Sequence, residues 1–149
     1  MDKARSAELL IQLYDLRREK TMRKARNWIG TFFPESAQDI VETMRDPDVG
    51  AYLRMVLSYW DMAASFVVHG AIDPEMFDDA NGEHLFVYCR IRPFLPEIRE
   101  MFQTEKYLQN LEKVILDLPD GQERIEKMDG WMAQYKESLQ KSEATSGGS

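Results

Sequence analysis

Few residues in this chain have the chemistry for catalysis or metal binding. There are two histidines, His69 and His84, and a single cysteine, Cys89. Three such residues fall short of a standard zinc site. Cys89 with either histidine draws a thiol–imidazole pair on paper, but its neighbours in Leu-Phe-Val-Tyr-Cys are apolar and nothing local activates the thiol. It reads as a small buried hydrophobe. The densest acidic stretch is Asp73 to His84, DPEMFDDANGEH. Placing Gly82 as the glycine of a calcium loop puts Asp79 and Asn81 at ligand positions. It also puts Phe77 at position one and Tyr88 at position twelve, where carboxylates are required. Caps and a solvated turn account for the same acids. No glycine-rich phosphate loop, G-x-S-x-G or H-E-x-x-H occurs. The reading assigns no catalytic residue, no metal ligand and no cofactor.

Two polar arrangements remain. Arg54, Ser58, Asp61, Ser65 and His69 step by four, three, four and four, so they share one side of a helix. Asp61 and His69 are separated by about 12 Å of helix rise, too far for an acid–base pair. If the line is half-buried, Asp61 needs a cation, because an unpaired buried carboxylate is costly. Arg90 and Arg92 are the candidates for that polar network; otherwise the line is a solvated strip. The second arrangement is the basic run Arg17, Arg18, Lys20, Arg23 and Lys24, followed by Trp28, Ile29, Phe32 and Phe33. Cations next to aromatics suit an anionic lipid surface or a nucleic-acid backbone. Equally, the aromatics can pack on the core and leave a basic face for an acidic protein.

The elements that must position these residues are helical. Val49, Tyr52, Leu53, Val56, Leu57, Trp60, Ala63, Ala64 and Val67 recur at helical steps, and Met55, Tyr59, Met62 and Phe66 widen the stripe. A helix apolar over most of its circumference is wrapped by others. The spacing therefore predicts a central buried helix over about 48–69, capped by Asp46 or Asp48 and closed by His69 and Gly70. Before it, one long helix runs from about Lys3 to Phe33, stopped by Pro34, and Ser36 with Asp39 starts a short one. Asp73-Pro74-Glu75 supplies a cap, a first-turn proline and an acid for another. Further helical patterns cover Glu83–Arg92, Glu97–Gln103, Tyr107–Leu118 and the stretch from Ile125 to Leu139. The resulting expectation is all-α: a compact bundle of five to seven helices in one domain, 1–141, with 1–33 as the long amphipathic helix and 34–141 as the body. The small polar residues 142–149 read as a disordered tail.

Charge separates the chain into two parts. Residues 1–30 hold eight Lys/Arg against four Asp/Glu, whereas the remaining 119 hold eleven against twenty-two. A net charge of −7 on an acidic body argues against wholesale nucleic-acid binding. No 18-residue apolar run and no secretory leader are visible, and one cysteine excludes an internal disulfide, so the expected location is cytoplasmic.

The segment Tyr59-Trp-Asp-Met-Ala-Ala-Ser-Phe-Val-Val-His-Gly-Ala-Ile-Asp-Pro-Glu-Met-Phe, followed by Tyr88 and Arg92-Pro93, resembles a bacterial helical domain family of unknown function over about residues 50–100. The resemblance implies a helical fold and brings no catalytic residues. Many members of that family look like they place a transmembrane helix before the domain, where this chain has a charged amphipathic helix. The resulting expectation is a non-catalytic protein-interaction or regulatory module that binds a protein partner or a second copy through Arg17, Arg18, Lys20, Arg23 and Lys24. The alternative is a peripheral binder of anionic lipid or nucleic acid through the same helix. No small-molecule substrate is indicated.

Overall fold

In the computed structural model, residues 2–146 are described and contain nine α-helices and no strand. They are α1 (Lys3–Arg17), α2 (Lys20–Ile29), α3 (Ala37–Met44), α4 (Gly50–Val68), α5 (Pro74–Ala80), α6 (Glu83–Ile91), α7 (Leu95–Met101), α8 (Gln109–Leu116) and α9 (Gly121–Ser146). A 3₁₀ turn, Arg92–Phe94, joins α6 to α7 where Pro93 and Pro96 interrupt the regular ladder.

The periodic apolar stripe buries as its spacing requires. Leu53, Val56, Leu57, Trp60, Ala63 and Ala64 on α4 are at most 1% exposed. This helix packs most extensively against α8 and α2, with further contacts to α3 and α6. Gly50 makes the close approach of α3 possible: a Cβ there would lie 2.5 Å from the Met44 carbonyl oxygen. At its other end the helix stops at His69, and Gly70 follows at φ +82°, the left-handed conformation that glycine adopts without strain.

Several local signals act as read. Ser36 accepts from the Asp39 N–H at 3.0 Å, and Asp39 accepts in return from the Glu35 N–H. Asp73 caps α5 through the Met76 N–H, with Pro74 in the first turn. Asp46 receives the N–H groups of Asp48 and Val49 at 2.7 and 3.0 Å, closing the turn before α4, although the N-cap itself, Val49, has no side-chain bond.

Three expectations are corrected. The expected 30-residue N-terminal helix is two helices, which together with other breaks raises the count above five to seven. Glu19 ends the first by turning its carboxylate onto the Thr21 and Met22 N–H groups, so it becomes the N-cap of α2. Residues 142–146 are not a disordered tail; α9 continues to Ser146, and Gly147, Gly148 and Ser149 lie outside the described residues. The pattern starting at Tyr107 yields a shorter helix, because Leu108 takes a left-handed φ of 56° and the regular turns begin at Gln109.

Trp60 is the largest side chain in the core, 1% exposed. Tyr59 and Phe77 meet its ring edge-on at 4.9 and 6.5 Å, and Glu83 accepts from its indole N–H at 3.1 Å. Trp60→Ala is expected to cost about 3–5 kcal/mol by chemical denaturation, the range for truncating a large buried aromatic. A loss below about 1 kcal/mol would contradict this packing.

Candidate functional site

The five basic residues expected to act together separate into two groups. Arg17 is drawn inward: its guanidinium lies 5.2 Å from the Trp60 ring and 5.3 Å from Tyr14, and its Nε is buried without a partner. A cation held over aromatic faces is packing as much as charge. Arg18 stays exposed and reaches Asp15 at 3.7 Å. Lys20, Arg23 and Lys24 are all exposed on α2, opposite the buried Met22, Ala25 and Ile29. Their three- and four-residue spacing puts them on one solvent face. Among the described residues no carboxylate pairs with any of the three.

The aromatics after this run are engaged by the fold. Trp28 stacks on Phe32 at 4.8 Å and faces Tyr52 at 6.5 Å. Phe33 lies against Arg90, whose guanidinium is 3.8 Å from its centroid and 4.7 Å from that of Phe86.

The expected network of Asp61 with Arg90 or Arg92 does not form. Asp61 accepts from the Leu111 N–H at 3.0 Å, the third residue of α8. The N-cap of that helix is Leu108, which has no side-chain acceptor, so a carboxylate from α4 satisfies the orphan donor and meets the positive end of the helix dipole. Arg90 donates instead to the Gly30 carbonyl at 3.3 Å and is held between two aromatic rings. Burial lowers its pKa to about 10, leaving it cationic at neutral pH. Arg92 pairs with Asp129 of α9 at 3.0 Å. The reach of both arginines is set by α9 and by the loop after α2, neither of which helical periodicity on α4 and α6 could locate.

A polar residue that the spacing did not single out lies deeper. His84, in the first turn of α6, is 2% exposed and packs 5.1 Å from Phe77 and 5.6 Å from Trp60. Its Nδ1 is buried with no partner, and no protein group hydrogen-bonds the ring elsewhere. Burial holds its pKa down at about 4, opposed by Asp78 on α5 and Glu83 on its own helix and reinforced by Arg124 on α9 and Arg17 on α1. The ring forms part of the wall of a cavity of about 270 Å³ between α4, α5, α6 and α8. The only signal in the sequence was a histidine placed directly before the apolar run Leu-Phe-Val.

A family model described as a domain of unknown function (DUF4760) matches residues 4–117. The chain belongs to that family. The match takes in α1 to α8 and extends well beyond the 50–100 segment on which the resemblance was read, so the basic face of α2, the Asp61 cap and His84 all lie within the family's domain. The part of α9 that carries Asp129 and Arg124 lies after it. Neither the curated proteins nor the solved structures include a match. Among the described residues no helix is long and apolar enough to cross a membrane, and no three metal-ligating side chains converge.

Two measurements test this geometry. Asp61→Ala is expected to cost about 1 kcal/mol, as for loss of a helix cap. Double-mutant cycles of Asp61 with Arg90 and with Arg92 are expected to show coupling near zero; coupling above about 0.5 kcal/mol would restore the ion pair. For His84, the folded pKa near 4 lies below the ordinary 6.5, so the unfolded chain binds the extra proton between those values. Stability due to this group is therefore full above pH 6.5 and falls as pH drops towards 4, by about 3 kcal/mol in all. Carboxylates titrate in the same window, so the check is the difference in pH slope between the parent and His84→Phe. Equal slopes would show that the ring is not buried neutral.

Proposed function

We propose that the protein is a non-catalytic helical interaction module, a bundle wrapped around α4 that presents the basic face of α2 to an acidic protein segment. The observation that carries this reading is the set of unpaired exposed cations Lys20, Arg23 and Lys24 on one face of a helix whose other face is anchored in the core. Elsewhere the exposed cations of the helices are largely paired within a turn, as in Lys113–Asp117, Lys127–Glu123 and Lys141–Glu137. Arg18 stands next to the set and extends it. Arg17 belongs to the fold and drops out of the binding surface.

Charge also sets the partner. The rest of the chain is strongly acidic, which repels nucleic acid and anionic lipid surfaces everywhere except over α2. Peripheral lipid binding further needs aromatic side chains free to enter the headgroup region, and Trp28, Phe32 and Phe33 are occupied by Tyr52 and Arg90. An acidic polypeptide requires only the cations. Several exposed charges acting together give an affinity that fades with salt.

The test uses a fluorescent poly-glutamate peptide as probe, read by anisotropy at low salt. The parent is expected to bind it and to release it as salt rises through about 0.3 M, where the screening length has shortened to about 6 Å. Changing Lys20, Arg23 and Lys24 together to Gln is expected to abolish binding with the circular dichroism spectrum and melting temperature unchanged. Undiminished binding by that variant places the surface elsewhere. Tighter binding to anionic vesicles or a DNA oligonucleotide than to poly-glutamate would favour the lipid or nucleic-acid alternative.

A further inference from the structure

The cavity behind His84 is a separate feature from the basic face, and α2 contributes no residue to its lining. Its walls are Val67, Val68, Pro74, Val114 and Leu118, with His84 as the one buried polar group. Three charged residues also line it, and each has an ion-pair partner: Lys113 pairs with Asp117 at 2.8 Å, and Asp78 with Arg124 at 2.8 Å. The wall therefore offers no free charge to hold an ion. What it offers is an apolar surface and an imidazole that no protein group hydrogen-bonds. An orphaned buried polar side chain is uncommon in folded proteins and calls for a partner of some kind.

We infer that this cavity binds a small, uncharged, largely apolar molecule bearing one hydroxyl group, which hydrogen-bonds the His84 ring. Three properties select that class. The volume of about 270 Å³ lies just below the range of sites that hold drug-sized ligands, roughly 300–1,000 Å³, and above the roughly 150 Å³ that accommodates benzene in an engineered cavity. A single aromatic ring or a short aliphatic chain fills such a space. The absence of free charge in the wall excludes carboxylates, phosphates and amines, whose desolvation would go uncompensated. A hydroxyl both donates and accepts, so it satisfies the imidazole in either tautomer.

The experiment is a titration of the full chain with phenol and with toluene, followed by amide chemical shifts. Phenol is expected to give saturable shifts centred on Val67, Val68, His84, Val114 and Leu118, with an affinity about five- to tenfold above that of toluene, the effect of one hydrogen bond. In His84→Phe the two ligands are expected to bind alike. Val114→Trp and Leu118→Trp, each made separately, fill the cavity from different positions and are expected to remove both. Two variants guard against one failing to fold. The inference is overturned if phenol shifts do not saturate, if toluene equals phenol in the parent, or if binding survives in a folded filled variant. None of these results bears on the basic face of α2.

Discussion

Glu83 stands where three helices converge, and its carboxylate accepts from both the Arg26 guanidinium of α2 and the Trp60 indole of α4. Arg26 approaches it with Nε at 2.8 and 3.1 Å and with a second nitrogen at 2.7 Å, while the indole N–H comes in at 3.1 Å. The guanidinium also reaches the Arg17 carbonyl at 3.5 Å, one of the last carbonyls of α1. One ion pair therefore joins α6 to α2, fixes the largest core side chain and closes the end of the first helix. The pair is about a quarter exposed, so its Coulomb energy is moderated by solvent. Its weight comes from interdependence. Removing Glu83 leaves both an indole donor and a guanidinium without their acceptor, and partly buried groups left unpaired cost more than the bond itself gains.

The same device recurs because most of these helices are short. The first four N–H and last four C=O groups of a helix lack intrahelical partners, so in α3, α5, α7 and α8, of seven or eight residues, the orphans are a large share of the backbone. Side chains from other helices meet part of that demand. Asp61 serves the start of α8, and Arg99 of α7 donates to the Tyr107 carbonyl at 2.9 Å while pairing with Glu112 at 3.2 Å. Glu112 in turn accepts from the Tyr88 hydroxyl of α6. Ser6, fully buried on α1, accepts from the Asp73 N–H where α5 begins, and Tyr59 donates to the Leu13 carbonyl. These bonds cross between helices, so each one specifies a relative position that apolar packing alone would leave adjustable.

Two buried polar groups stand apart from this scheme. Arg90 has no carboxylate and is held by two aromatic faces and a carbonyl, an arrangement that keeps charge inside without an acid to balance it. His84 has no hydrogen bond from the protein at all and avoids the charge by staying neutral. The contrast follows from their chemistry: a guanidinium cannot shed its proton at neutral pH, and an imidazole can.

By itself the sequence determined what depends on neighbours in the chain. The helical class, the burial of Trp60, the caps at Ser36 and Asp73, and the stop at His69-Gly70 are encoded within a few residues, because period and capping are short-range properties. The basic face of α2 was visible for the same reason, as a charge run on an acidic chain. Tertiary structure decided everything that joins residues far apart. The break at Arg18-Glu19 is made by Glu19 capping the Thr21 and Met22 N–H groups, a role that apolar periodicity does not register, while Arg26 meeting Glu83, 57 positions away, holds the second helix in place. Asp61 found a backbone N–H 50 positions on rather than an arginine, because α8 begins at a leucine that has no acceptor to offer. Arg17 turned from the exposed basic run to the Trp60 ring, and His84, one residue in an ordinary turn, acquired its cavity from four helices. Periodicity shows which side of a helix is buried, but only packing chooses what lies against it.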